Sequence, residues 1–414
     1  MTAPGRHRIA DQPIGRRIAQ LRARRGLTQQ VFADRIGKSH SWVDKVERGI
    51  RSLDRISVVH TVAAVLGVTP ETILGPTTSR PEPATDTTTA AVEHLRAALA
   101  RYDTPTPDQP APPVEDLHRR IQYAWTAYQH AHYPQLLRML PDLLTHTRHA
   151  TTSDAPRSDA VGYLLTSVYR LTAHLLTKLD EPHLAWLAAD RAIATAAGHP
   201  RHTAAAAIAL TQALRALHRP TLATRAALTA VPLIDPATTN DAAPDDHALA
   251  GTLLIEAALA AATGNDPATA HDLSERADRH AASISHHQRR PDHGDTTTAF
   301  GPTAVALARA HLAAALGDPH QAITHHQHTT ASHGWRELPA EHRAAHLIDI
   351  TRAYLDTGNP TAAAARAIIT ADQIAPAETR TRPTAHTVVA TLLRTAPTPD
   401  LTRLATTIGL TPRP

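Results

Sequence analysis

Ile14, Ile18 and Leu21 recur at three- and four-residue steps, a spacing that predicts a first helix ending near Gly26. A second helix is expected from Thr28 to Arg35 and a third from about Ser39 to Glu47, with Phe32, Val43 and Val46 at the apolar positions. Leu53, Ile56, Val59, Val62, Ala63 and Leu66 then form a fourth stripe at helical spacing, stopped by Gly67. In the run Leu66 to Leu74, Thr69 suits a cap, Pro70 the first helical position and Glu71 the first turn, so a short fifth helix is expected. From Gly75 to Pro113 large apolar residues become scarce and Pro, Thr, Ser and Asp dominate, which is the composition of a linker. One amphipathic segment interrupts it, Ala90 to Tyr102, with Val92, Leu95, Leu99 and Tyr102 on one side; Pro105, Pro107, Pro110, Pro112 and Pro113 stiffen the join to the rest of the chain.

Beyond Glu115 the pattern is helix after helix, and the element P-x-x-A recurs: Pro182 to Ala185, Pro220 to Ala223, Pro267 to Ala270, Pro319 to Ala322 and Pro360 to Ala363, with a weaker copy at Pro134 to Leu137. Three copies follow a turn group: Gly264, Asn265, Asp266; Gly317, Asp318; and Gly358, Asn359. Glycine would end one helix in the left-handed conformation, proline would start the next where its missing N–H costs nothing, and the small alanine would let the two helices sit close. Each unit is then a helical hairpin that buries its apolar face by stacking on its neighbours.

Within the first 49 residues the small and apolar positions fit a helix-turn-helix. Two helices crossing steeply over a short turn leave space for a small side chain at the contact, Ala33, and a turn residue at Gly37 that adopts a backbone costly for others. Thr28 and Ser39 precede the two helices and suit N-caps. With Leu27, Thr28 and Gln29, the central Gly37 and the ending Lys45, Val46, Glu47, Arg48, Gly49, the stretch resembles the Cro/C1-type (XRE-type) helix-turn-helix family. The resemblance implies a five-helix DNA-binding domain over residues 1–75, then a linker over 76–114 with a short helix at about 90–102. The hairpin array, 115–414, looks like tetratricopeptide (TPR) repeats: around Gly358 and Asn359, Tyr354, Ala363, Leu347 and Ile350 fall where that family's pattern asks. The expected fold is therefore all-α, an N-terminal helix-turn-helix domain followed by an α-solenoid. The combination resembles actinobacterial XRE-type regulators with a TPR-like body, as do the stretches Leu184 to Arg191, Ala299 to Val305 and Trp335 to Leu338.

Charge sharpens this division. The net charge of +4 hides a balance of +7 in residues 1–75, where 13 Arg/Lys face 6 Asp/Glu, against −3 in the remainder. A basic module on a mildly acidic body suits phosphate binding at one end. The chain has no cysteine, so disulfides and thiolate metal sites are excluded, and no run of eighteen apolar residues or signal-peptide pattern occurs; a cytoplasmic protein without a membrane span is expected. Histidine is abundant, 29 in all, in step with the Ala, Arg, Thr and Pro usage of a GC-rich genome, so His pairs such as His342 and His346 arise without meaning a metal site. No P-loop, nucleophile elbow, dinucleotide fingerprint or H-E-x-x-H is present; neither enzymatic activity, nor a cofactor, nor a metal is expected.

A recognition helix enters the major groove by its N-terminal residues, which makes Ser39, His40, Ser41, Asp44 and Lys45 the candidates for base contacts. Gln29 is placed to hold a phosphate and brace that helix, Lys38 and Arg48 to meet the backbone, and Arg16 and Arg17 to form an outer phosphate flank beside Arg24 and Arg25. Trp42 fits either a sugar–phosphate edge or packing on the second helix, and Arg6 and Arg8 lie on an N-terminal arm. One such module buries only about 600–1,000 Å² on double-stranded DNA, so two copies on a palindromic operator, hence a homodimer, are expected. Tyr123, Tyr128, Tyr163, Tyr169, Trp186, Phe300 and Trp335 are the candidates to line a concave binding face for a small-molecule or peptide effector, with inter-helix packing as the alternative role of each. Two other functions fit the same chain: an adaptor whose repeats dock a partner protein onto DNA, and a ligand-independent repressor whose repeats only dimerise. The run Ser283 to Gly301 is long for a hairpin connection.

Overall fold

In the computed structural model, the expected first four helices are α1 (Ile14–Arg24), α2 (Gln29–Arg35), α3 (His40–Glu47) and α4 (Ile56–Leu66). The structure describes residues 14–48, 56–66, 68, 83–102, 112–152, 159–196, 198–234, 244–286, 299–358 and 361–410. The expected fifth helix, the arm carrying Arg6 and Arg8, the Arg51 turn and most of the 283–301 run lie outside these residues. The chain divides into two compact units, Met1–Asp86 and Thr87–Pro414.

The N-terminal unit follows its sequence rules closely. Thr28 Oγ1 accepts from the Val31 amide at 3.3 Å and Ser39 Oγ from the Trp42 amide at 3.2 Å, so both hydroxyls cap their helices. Gly37 closes α2 at φ +65°, and the Lys38 amide returns to the Ala33 carbonyl at 2.9 Å. Ala33 is fully buried between Ile18, Phe32, Val43, Val46 and Leu66. Gly15 plays a steric part: a Cβ there would sit 2.2 Å from the Val46 carbonyl oxygen, so α1 crosses the end of α3 backbone to backbone.

Among the described residues, the body is six helical hairpins preceded by α5 (Pro83–Leu99). The pairs are α6 (Val114–Gln129) with α7 (Tyr133–Thr152), α8 (Asp159–Lys178) with α9 (Pro182–Thr195), and α10 (Pro200–Ala216) with α11 (Pro220–Ala230). They continue as α12 (Pro244–Thr263) with α13 (Pro267–His286), and α14 (Pro302–Ala315) with α15 (Pro319–Ala331). After the one-turn α16 (Gly334–Glu337) comes α17 (Ala340–Asp356) with α18 (Thr361–Ile374). Three short helices end the chain: α19 (Pro376–Thr381), α20 (Pro383–Thr395) and α21 (Pro399–Thr407). The P-x-x-A elements at Pro182, Pro220, Pro267 and Pro319 each start the second helix of a hairpin, and Ala185, Ala223, Ala270 and Ala322 are buried where that helix meets its partner.

Glycine sets only two of the turns, at Gly317 and Gly358. Each hairpin reverses through one residue at positive φ, and in four of the six it is Ala131, Asp180, His218 or Asn265 rather than a glycine. The next amide closes the loop, as in His132 to the Ala127 carbonyl at 2.8 Å and Arg219 to the Leu214 carbonyl at 2.9 Å. In the Gly264, Asn265, Asp266 group the left-handed residue is Asn265; Gly264 is small because Pro220 Cβ would lie 3.2 Å from a Cβ there.

The helix expected at 90–102 also differs. It ends at Leu99, and Val92, Leu95, Ala98 and Leu99 are buried in the same core as the hairpins, so the segment is packed into the body instead of bridging to it. Tyr102, expected on the apolar side, is 81% exposed because the helix has ended; Arg148 Nη1 donates to the Ala98 carbonyl at 2.8 Å and Arg191 to that of Leu99, satisfying the terminal carbonyls. The core that takes in α5 runs from Val92 to Ala213 and resumes from Ala313 to Ala405, so the last hairpin and the terminal helices pack on the first ones.

Two substitutions test these rules in urea unfolding of the full chain. Ala131→Gly is expected to stabilise the body by about 1 kcal/mol by relieving the left-handed alanine, and Ala223→Leu to destabilise it by about 1–3 kcal/mol by overpacking the α10–α11 contact.

Candidate functional site

The surface of α3 is where the charge and the geometry of the N-terminal unit come together. Val43, Val46 and Glu47 point inward, which leaves His40, Ser41 and Lys45 on the outer side with Ser39 at the helix start, all exposed. Lys38 precedes them, exposed, with Nζ 6.0 Å from the centre of the Trp42 ring. Trp42 is half-buried against the helix-turn-helix core, so it packs. Asp44 is half-buried and pairs with exposed Arg48 at 3.4 Å, an intrahelical contact of little energetic weight. Arg16 is exposed on α1; the side chain of Arg17 lies outside the described part of the structure.

Beneath this surface is a brace, expected of Gln29, whose other members spacing alone did not reveal. Glu47, 9% exposed at the end of α3, takes two hydrogen bonds from Arg22 of α1, at 2.6 and 3.0 Å. Gln29 of α2 donates to the same carboxylate at 2.8 Å, and Arg22 also donates to the Leu27 carbonyl at 2.7 Å. One carboxylate therefore ties three helices, and its hydrogen bond and charge raise Arg22 above the ordinary arginine range. Gln29 acts here as a brace, and Arg22, counted in the sequence only as one more basic residue, is its principal partner.

The seven aromatics expected to line a concave face do not share a site. Tyr123 is 52% exposed and its hydroxyl accepts from Gln135 at 2.6 Å; Trp186 is 48% exposed on α9. Tyr163 packs on His202 at 4.6 Å, Tyr169 accepts from Arg148 Nε at 2.8 Å, and Phe300 lies on Gly251, where a Cβ would come 1.9 Å from its ring. Tyr128, beside Trp125 and His174, and Trp335, edge-on to His346 at 5.8 Å, do reach a common environment. Surface hollows of about 560 Å³ around Thr224 and Leu228 and about 230 Å³ around Arg148 and Arg191 include only Tyr169 of the seven.

That common environment is a buried polar interior to which the first helices of the hairpins contribute most of the residues. Lys178 of α8 pairs with Glu341 of α17 and, at 3.1 Å, with Glu378 of α19, which also accepts from Tyr133 and, at 2.8 Å, from Arg382. Further along, His174 Nδ1 contacts Gln212 at 2.8 Å, Gln212 donates to Glu256 at 2.7 Å, and Arg215 pairs with the other Glu256 oxygen. His326, His346 and His311 form a chain with ring nitrogens 2.9 Å apart at each link. Burial would raise Glu341, but Lys178 and then His342 hold it down at about 2. Burial pushes His174 to about 4, helped by the charge of Arg170, and His326 to about 4, helped by His311; His346 is also well below its ordinary range. Among the described residues no group of three or more His, Cys, Asp or Glu is arranged to hold a metal, and no helix is long and apolar enough to cross a membrane.

Residues 13–73 match the family described as a helix-turn-helix domain. No curated protein matches the chain. Among solved structures, the crystal structure of Bacillus thuringiensis PlcR in complex with the peptide PapR7 and DNA is similar at 12% identity, covering 66% of this chain and 96% of that chain, with a TM-score of 0.30.

Both the brace and the interior lend themselves to measurement. Glu47→Ala leaves the Arg22 guanidinium buried without its partner and is expected to cost the N-terminal unit about 3 kcal/mol, read as an earlier urea transition by the Trp42 signal. The interior histidines make stability pH-dependent: unfolded histidine titrates near 6.5 and the buried rings at about 4 or below. The unfolded chain therefore takes up protons first, so stability is full above about pH 6.5 and falls as the pH drops towards 4, by about 3 kcal/mol for His174 alone. Urea midpoints at a series of pH values check this; a flat profile contradicts it.

Proposed function

We propose that this chain is a cytoplasmic, sequence-specific DNA-binding transcriptional regulator acting as a homodimer, whose helical-hairpin body senses a small molecule or short peptide and controls DNA binding. The observation that carries the DNA-binding part is α3: an exposed row of Ser39, His40, Ser41 and Lys45, held rigidly by the Glu47 brace within a segment that matches the helix-turn-helix domain family. A helix presented in this way reads base edges in the major groove from its N-terminal residues, while Lys38, Arg48 and Arg16 supply phosphate contacts. Gln29 supports α3 from below through Glu47 and adds a phosphate contact from the start of α2. Asp44 and Trp42 shape the edges of the surface.

Dimerisation rests on size. A single module of this kind gives too little interface for operator specificity, and two modules on a palindrome supply it. The sensing part rests on the body: a unit of six hairpins whose inner helices converge on buried, paired charges offers an enclosed polar environment rather than an inert spacer. Such an environment can distinguish a ligand by charge and shape and pass the difference on through the packing of the hairpins.

Selection of binding sites from a random duplex pool, followed by retention of the selected DNA, tests the core of this proposal. His40→Ala, Ser41→Ala and Lys45→Ala combined are expected to abolish specific retention while leaving weak non-specific binding. Lys38→Ala alone is expected to weaken binding to all sequences and to reduce the slope of log affinity against log salt by about 1. Unaltered specific retention by the triple variant would sink the assignment of α3.

A further inference from the structure

Among the described residues Arg170 is the one arginine or lysine that is fully buried, and it stands apart from the paired cations around it. Lys178 has Glu341 and Glu378, Arg382 has Glu378 and Asp349, and Arg215 has Glu256. Arg170 of α8 is only 5% exposed, yet it has no carboxylate within ion-pair distance among the described residues, and its Nε is buried without a hydrogen-bond partner. The surrounding polar groups are already committed: Trp125 Nε1 donates to Ser167 at 2.8 Å, and His174 is engaged with Gln212. The guanidinium lies over the Trp125 ring, 5.2 Å from its centre. This stack covers one face of the guanidinium and recovers a fraction of what water supplied, while the N–H donors along its edge stay unused.

Arginine does not escape burial by losing its proton, so this positive charge persists at neutral pH. An unpaired buried charge is among the costliest arrangements a fold can hold, and it signals a partner that arrives from outside the chain. The partner's charge can be read from the neighbours. His174 is neutral, kept so by burial and by Arg170 itself, and the carboxylates nearby are engaged with Lys178, Arg215 and Arg382. Arg170 itself therefore has no negative group against its guanidinium, whose fork fits a planar two-oxygen anion.

We propose that Arg170 is the anchor for the carboxylate of a small ligand bound inside the body, with the Trp125 indole as the platform that fixes the plane of the guanidinium. This names the chemical class of the effector and rests on the sensor function above for its consequence, though not for the binding itself. A carboxylate on a free acid and the C-terminal carboxylate of a short peptide share this chemistry. A phosphate dianion is tetrahedral and brings two negative charges to a single guanidinium, and is the weaker ligand.

The experiment is thermal melting of the full chain in sodium acetate against sodium chloride at constant ionic strength, with sodium phosphate as a second arm. For the natural sequence the midpoint is expected to rise saturably with acetate, and less with phosphate. Arg170→Met keeps the apolar stem on Trp125 and removes the charge; it is expected to melt higher than the parent in chloride and to be indifferent to acetate. Arg170→Lys keeps the charge but not the fork, and its apparent acetate affinity is expected to fall at least threefold. Absence of an acetate response in the parent, or an undiminished one in Arg170→Lys, overturns the proposal. A tripeptide with a free C-terminus, compared with its amide, then separates the two sources: stabilisation by the free form alone assigns the site to a peptide end, and stabilisation by neither leaves it to small acids. DNA retention is measured in the same buffers. An acetate response with unchanged DNA retention leaves the carboxylate site standing and removes the sensor function, whereas a missing acetate response removes the site whatever the DNA does.

Discussion

Lys178 joins parts of the body that are remote in sequence. It lies on α8, in the second hairpin, while its two carboxylate partners come from α17 and α19. Removing three charges from water is expensive, and the cluster is tolerable because each member has a second neighbour: Tyr133 and Arg382 also serve Glu378, and His342 adjoins Glu341. Apolar side chains of equal volume would stabilise at least as well, but they would meet in many registers. An ammonium between two carboxylates admits one arrangement, and this ties the second hairpin to the last hairpin and the short helix that follows it. The shared core from Val92 to Ala213 and from Ala313 to Ala405 depends on that meeting.

The sequence displays the local rules and hides the long-range ones. Caps at Thr28 and Ser39, the small Ala33 and the proline starts of the hairpin second helices are all legible, because each is a matter of a few neighbouring residues and a fixed backbone geometry. The hairpin turns are legible in position but not in mechanism. A left-handed residue advertises itself when it is glycine, as at Gly317 and Gly358, and not when it is Ala131 or His218, where the cost is carried by the packing on either side. Segment α5 misleads for a related reason: its composition is that of a linker, yet four small and apolar side chains at helical spacing suffice to bury one face.

The candidate sites divide along the same line. The exposed row on α3 follows from helical periodicity and a turn, so it can be placed residue by residue. The Arg22, Glu47 and Gln29 brace spans 25 residues and looks in sequence like ordinary charge. In the body the relevant pairs are as far as 200 positions apart, as Lys178 and Glu378 are, so no local spacing marks them. Aromatic residues, the usual guide to a binding face, serve poorly because most of them fill gaps between helices or lie on the outside. The buried arginine and histidines, ordinary by type, acquire meaning only from what surrounds them.

The brace and the interior charges imply different mechanical roles. Through Glu47 helix α3 is tied to α1 and α2, so the three helices are held together as one piece. The body, by contrast, holds a residue pair that faces two ways. Tyr169 and Arg170 are adjacent on α8; the Tyr169 hydroxyl accepts from Arg148, which in turn caps the Ala98 carbonyl at the end of α5, while Arg170 faces Trp125 and the interior. Any displacement of α8 made by neutralising Arg170 would therefore reach α5, the helix by which the chain enters the body, through one hydroxyl and one guanidinium. A coupling this short needs no extended pathway, only two packings of α8 that differ in how well Arg170 is satisfied.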